Sequence, residues 1–133
     1  MRRPVQGPAN AELVLEALKV SGKPMTAYEA LEAVRKEGIR SPLTVYRALS
    51  LLIESKKVRR VQSIGAYIVC KYPTPDVAIV LAICDDCGSV EELPEDGALS
   101  SLKQEIDQIG FHVEQSIIEV KGRCGACFSE TPT

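Results

Sequence analysis

Two short cysteine pairs constrain the fold of this 133-residue chain more than any other feature of its sequence. Cys84 and Cys87 form one C-x-x-C pair, and Cys124 and Cys127 form a second, each in a turn-like segment that contains glycine. Zn²⁺ in structural sites takes four tetrahedrally placed ligands, with sulfur at about 2.3 Å. Two such pairs therefore predict one structural zinc per chain. Because all four positions are thiolates, we expect a closed site and no catalytic metal.

Two other uses of these cysteines fit the sequence less well than zinc. Disulfides fit an oxidising compartment, but the N-terminal Met1-Arg2-Arg3-Pro4 lacks the apolar core of a secretory signal, which predicts a cytoplasmic protein. A redox-active pair would need a βαβ setting, and neither pair lies in one. The longest apolar run, 77–83, is too short to form a membrane helix. Zinc analysis of freshly purified protein would distinguish a metal site from a thiol enzyme.

The net charge of −2 hides a strong asymmetry between two halves of the chain. Residues 1–71 contain 13 Lys and Arg against 6 Asp and Glu, a balance of +7, whereas residues 72–133 have a balance of −9. Such a charge split indicates that one half binds a polyanion while the other half has a different function. It predicts a domain boundary after Lys71.

The basic half has the pattern of three helices followed by a β-hairpin. Helix signals include a Thr26/Glu29 capping box and a proline at the first position of the third helix. The predicted helices cover 10–21, 26–38 and 41–55, and the predicted strands cover 57–62 and 66–71. This order is typical of a winged helix-turn-helix domain, whose third helix enters the major groove of DNA.

The third predicted helix has an apolar side and a polar side. Its buried stripe is Val45, Ala48, Leu49, Leu52 and Ile53, and the opposite side carries Leu43, Arg47, Ser50 and Glu54. Arg47 is the best candidate to read a base, because a guanidinium bonds a guanine edge in bidentate fashion. Tyr46 and Ser50 are candidates for thymine or phosphate contacts, although Tyr46 also fits a half-buried core position. Four basic side chains near the hairpin are candidates for phosphate contacts: Lys56, Lys57, Arg59 and Arg60. The alternative is that they only face solvent.

The acidic half predicts a small α/β unit, which makes the whole chain α+β. The predicted elements are a strand over 77–83 buried on both faces, a helix with an apolar stripe ending at Gly110, and a strand over 111–120. The helix stripe consists of Leu99, Leu102, Ile106 and Ile109. This is more apolar surface than about sixty residues bury by themselves, so we expect a symmetric homodimer.

Three segments together resemble the ferric uptake regulator family, most of all its zinc uptake regulator branch. They are 41–49 (SPLTVYRAL), 83–88 (ICDDCG) and 124–127 (CGAC). The resemblance implies a homodimeric, metal-dependent transcription factor that binds palindromic operator DNA, with no enzymatic activity and no small-molecule substrate. It also implies that Tyr28 and Arg47 contact bases, and that the structural zinc is held by Cys84, Cys87, Cys124 and Cys127.

The chain departs from that family at the second, sensing metal site. Cys70 and Glu92 match a Cys and a Glu of the zinc branch, but Arg59 stands where the branch carries a histidine, and an arginine cannot lose its proton to bind zinc. His112 is the only histidine of the chain. We therefore expect metal sensing to be weakened or lost. The alternative function is a zinc-stabilised winged-helix scaffold that acts through protein contacts without binding DNA.

Overall fold

The computed structural model describes residues 6–71, 79–95, 97, 99–114 and 116–130. The chain divides between Pro73 and Thr74 into two compact units, which are described separately here. The predicted fold class is confirmed: a helical DNA-binding type of domain comes first, and a mixed unit containing the cysteine cluster follows.

Three helices build the first unit: α1 (Gln6–Ser21), α2 (Ala27–Val34) and α3 (Pro42–Glu54). α1 begins four residues before the predicted start. The predicted capping box at α2 is present, with the Glu29 amide donating to Thr26 Oγ1 over 3.1 Å and the Thr26 amide donating to Glu29 Oε1 over 2.9 Å. Reciprocal capping satisfies two backbone donors that the helix itself leaves without partners.

The core of the first unit lies where the three helices meet. Val14, Val34, Val45 and Leu49 are at most 1% exposed. The predicted stripe of α3 is correct except for Ile53, which is 38% exposed. At about 100° per residue, Ile53 lies near the edge of that stripe, where solvent reaches one side of the residue.

A two-stranded antiparallel hairpin completes the winged helix. β1 (Val58–Val61) pairs with β2 (Ala66–Val69), and a 3₁₀ turn with Gly65 in the left-handed region connects them. An isolated bridge between Met25 and Tyr67 attaches the hairpin to the connection before α2. The hairpin is therefore fixed to the helices at one edge.

The second unit is a three-stranded mixed sheet with two short helices. Its elements are β3 (Ile79–Cys84), β4 (Val90–Pro94), α4 (Ser100–Gln108), β5 (Ile117–Gly122) and α5 (Gly125–Glu130). The sheet order is β4-β3-β5, with β4 antiparallel and β5 parallel to the central strand. A parallel pair needs a long crossover, and the segment containing α4 supplies it.

Several predictions for the second unit need correction. The last strand begins at Ile117 rather than at residue 111, because the chain turns at Gly110 (φ +81°) and the residues described between them lie outside the ladder. β3 is not buried on both faces, since Val80 and Ala82 are only partly buried. α4 has no buried residue, and its stripe residues Leu102 and Ile109 are 51% and 79% exposed. Leu99 and Ile106 of the same stripe are partly buried, so the described residues cover this apolar face only in part, as the predicted excess of apolar surface implies.

One backbone conformation in the first unit is unfavourable and can be relieved. Among the non-glycine residues that the structure describes, Lys56 alone has a positive φ, of 66°. It ends α3 with its amide donating to the Ile53 carbonyl over 3.0 Å, and the Lys57 amide donates to the Leu52 carbonyl over 2.9 Å. This is the pattern of a helix C-terminus where glycine is preferred.

We predict that Lys56→Gly raises the free energy of unfolding of this unit by about 1 kcal/mol, because glycine adopts the left-handed conformation without steric cost. Urea unfolding of the full chain, followed by tyrosine fluorescence, measures it, since all four tyrosines lie in residues 1–73 and the chain has no tryptophan. Lys57→Gly is the matched control and should give no gain. An unchanged or lower free energy for Lys56→Gly would refute the prediction.

Candidate metal centre and nucleic-acid interface

The parallel pairing of β3 with β5 brings the two cysteine pairs to one edge of the sheet. Cys84 is the last residue of β3 and lies opposite Gly122, the last residue of β5. Cys87 follows in the turn toward β4, and Cys124 lies two residues after the end of β5. Because parallel strands end at the same edge, residues forty positions apart become neighbours.

The four sulfur atoms are placed as zinc requires. The Sγ atoms of Cys84, Cys87, Cys124 and Cys127 all lie within 4.8 Å of one another, and the Sγ atoms of Cys87 and Cys124 are 3.8 Å apart. A tetrahedron with metal–sulfur bonds of about 2.3 Å has edges of about 3.8 Å. None of the five cysteines is in a disulfide. The donor set therefore fits a structural zinc, and these four cysteines would hold it.

Backbone amides prepare Cys84 to be a thiolate. The Cys87 and Cys124 amides donate to Cys84 Sγ over 3.4 Å and 3.3 Å. These hydrogen bonds, the one from Cys87 first, lower the pKa of Cys84 to about 6. The hydrogen bond from the Cys124 amide comes from the other cysteine pair, so it also joins the two turns.

The neighbouring sulfurs differ in how readily they lose a proton. A hydrogen bond with the Ser89 side chain, 3.3 Å from Cys87 Sγ, lowers the pKa of Cys87. The pKa of Cys127 is raised, above all by its hydrogen bond with Cys124 and then by that with Cys84. These hydrogen bonds favour the protonated form, so ionising this last thiol carries a penalty. A dication at the centre would remove this penalty, because metal binding releases the remaining protons.

Two further contacts fix the turns around the sulfurs, and the sequence patterns missed both. The Asp85 amide donates to the Gly122 carbonyl over 2.7 Å, and Lys121 Nζ lies 3.6 Å from Asp85 Oδ1. The ion pair is exposed and contributes little by itself. The sequence signals for this ion pair were the acidic residue directly after Cys84 and the lysine near the end of β5.

The residues of the predicted sensing site are divided between the two units. Cys70 follows β2, is partly buried, and its amide donates to the Lys57 carbonyl over 2.9 Å. Glu92 lies on β4 opposite Leu81 and is only 4% exposed. His112 is exposed in the segment before β5. The assembly of Cys70 and Glu92 into one metal site stays a prediction.

The predicted DNA contacts lie on the outer surfaces of the first unit. Tyr28, in the first turn of α2, is 69% exposed, and Tyr46 on α3 is 52% exposed, so Tyr46 is not a core residue. Arg47 and Ser50 are exposed on the side of α3 away from the core, and Lys57 is exposed before β1. Arg59 and Arg60 are partly buried on β1, where Arg60 donates to the Gln62 side chain. The structure thus presents all seven side chains at least in part to solvent.

A winged helix followed by a small mixed unit with a four-thiol cluster defines a class of metal-structured transcription regulators. Residues 10–121 match the model of the ferric uptake regulator family, and the chain belongs to that family. Members of this family are transcription regulators rather than enzymes. In the part of the chain that the structure describes, each helix is too short or too polar to cross a membrane.

Curated relatives place the similarity in the zinc branch of the family. The chain is 33% identical over 116 residues to the zinc uptake regulation protein of Escherichia coli K12, covering 86% of this chain and 68% of the relative. The zinc uptake regulation protein of Shigella flexneri gives the same values.

Solved structures agree with this placement. A zinc uptake regulator in complex with zinc and DNA is similar with a TM-score of 0.83 and 30% identity, covering 90% of this chain and 81% of the other. The crystal structure of holo XcZur gives a TM-score of 0.80 and 33% identity, covering 90% and 84%. A ferric uptake regulator from Francisella tularensis, at 16% identity and a TM-score of 0.62, shares the fold.

We predict that Cys124→Ser removes the bound zinc and destabilises the second unit, because a hydroxyl replaces one of four thiolates and the two turns lose their common centre. Metal analysis after dialysis gives the stoichiometry, and far-UV circular dichroism during heating gives the stability. Cys70→Ser is the matched control, which should retain one zinc per chain. If Cys124→Ser keeps its zinc and melts like the unaltered chain, the four-cysteine site is refuted.

Proposed function

We propose that this protein is a zinc-structured transcription regulator that binds operator DNA in the cytoplasm as a homodimer. The observation that carries the proposal is its similarity, in sequence and in fold, to zinc uptake regulators, one of them in complex with zinc and DNA. In this proposal residues 1–71 bind DNA, and residues 72–133 hold the zinc and form the dimer.

The first unit reads the DNA by placing α3 in the major groove. Arg47 bonds a guanine edge from the outer side of α3, and Ser50 and Tyr46 contact neighbouring bases or phosphates. Tyr28 adds a contact from the start of α2. Lys57, Arg59 and Arg60 hold phosphates near the hairpin, where the balance of +7 over residues 1–71 favours a polyanion.

The second unit has the exposed apolar surface that a dimer interface needs. Ile109, Phe111 and Val120 are 79%, 60% and 52% exposed. β5 is also an edge strand of the three-stranded sheet described here. A symmetric dimer that buries this surface presents two copies of α3, and such dimers bind palindromic operators.

The regulatory metal site is weakened in this proposal, so zinc has a structural role and little sensing role. Cys70 and Glu92 alone offer two ligands, and a metal held by two side chains is held poorly. Arg59 supplies a permanent positive charge at a position where the zinc branch carries a metal-binding histidine. The charge of Arg59 replaces the charge of a sensing metal and keeps the dimer in its DNA-binding conformation.

We predict that Arg47→Ala weakens binding to an operator selected from random-sequence DNA by about 1–3 kcal/mol, and that specificity is lost at one base position of each half-site. Fluorescence anisotropy with single-base operator variants measures both effects. Lys57→Ala is the control, since losing a phosphate contact should weaken binding evenly across sequences. If no sequence is enriched in the selection, or Arg47→Ala binds unchanged, the scaffold function is favoured instead.

We also predict that DNA affinity does not depend on added zinc. Protein with one zinc per chain should bind its operator equally well with and without a mild chelator, because the closed four-thiolate site does not release its metal under those conditions. Zinc stoichiometry measured beside the binding curves provides the test. A second zinc whose occupancy parallels DNA affinity would contradict the loss of sensing.

A further inference from the structure

The outer side of α3 has an exposed aliphatic side chain in its first turn. At about 100° per residue, Leu43 and Ser50 lie within about 20° of each other, opposite the buried stripe, while Tyr46 and Arg47 lie on either side of them. Leu43 is in the first turn of α3 and is 55% exposed. The core does not use this leucine, because the residues of α3 that pack inward are Val45, Ala48, Leu49 and Leu52.

The charge around Leu43 indicates what covers it. Arg40 and Arg47 are exposed before and after it, in a unit whose sequence balance is +7, whereas the acidic residue on the same side, Glu54, lies in the last turn of α3, about 16 Å along the helix. A basic surface that includes one aliphatic side chain fits DNA better than it fits an apolar protein partner. Binding an apolar partner would remove water from both guanidinium groups without replacing it by a negative charge. In the major groove, the C5-methyl of thymine is the apolar group that distinguishes one base pair from another.

We propose that Leu43 reads the methyl group of a thymine next to the guanine that Arg47 contacts. Side chains four residues apart on a helix lie about 5–6 Å apart at Cβ, and base pairs are spaced about 3.4 Å apart, so the two residues reach positions one or two base pairs apart. This inference rests on the proposed DNA-binding function and makes it specific. Leu43 sets the preference for thymine over the other bases at one position of each half-site.

The test replaces the thymine methyl alone. Each thymine of the selected operator is changed in turn to deoxyuridine, which keeps the base pairing and removes the methyl group. We expect one deoxyuridine position per half-site to weaken binding by the full-length protein about threefold to tenfold, since a buried methyl contact has this size. Leu43→Ala should bind the thymine and deoxyuridine operators equally well.

Ile53→Ala is the matched control, because Ile53 is also an exposed aliphatic residue of α3 but lies in its last turn. Ile53→Ala should lose as much affinity as the unaltered protein when the thymine is replaced by deoxyuridine. The inference is overturned if no thymine methyl matters to the unaltered protein, or if Leu43→Ala keeps the same penalty. It is also overturned if Leu43→Ala alters self-association instead, which would show that a second copy covers this residue. Failure to bind any DNA would refute the proposed function itself.

Discussion

The parallel pairing of β3 with β5 determines the architecture of the second unit, because it places the ends of two distant segments side by side. Four sulfur atoms then lie within 4.8 Å of one another. Hydrogen bonds with the neighbouring sulfurs raise the pKa of Cys127, so a full set of four thiolates calls for a cation. The sheet thus assembles the ligands, and a bound zinc would hold the sheet ends together.

The two units differ in how they are stabilised, and this difference agrees with the separate roles proposed for them. The first unit has its own core where the three helices meet, and the outer side of α3 is left exposed. In the second unit, the buried residues among those described are Ile79, Leu81, Ile83, Cys84 and Glu92. So small a core needs additional support. A metal at one edge of the sheet and a partner chain over the exposed apolar surface would provide it.

Local signals in the sequence predicted much of this fold and of the metal site. The Thr26/Glu29 capping box and the proline that begins α3 act within one turn of helix, and the structure has both. The late start of β5 and the position of Ile53 were not predicted, because they depend on strand pairing and on the neighbouring surfaces and not on the local pattern. The amide bonds to Cys84 were not predicted either: the bond from Cys87 lies within one turn, whereas the bond from Cys124 forms only after the two turns meet.

The coordination of the bound metal tests the central claim most directly. X-ray absorption at the zinc edge of the purified full-length protein reports the number and the type of ligands. The account predicts four sulfur ligands at about 2.3 Å and no nitrogen or oxygen ligand in a protein that holds one zinc per chain. A shell with two sulfurs completed by nitrogen or oxygen would contradict the claim that both cysteine pairs close around one ion.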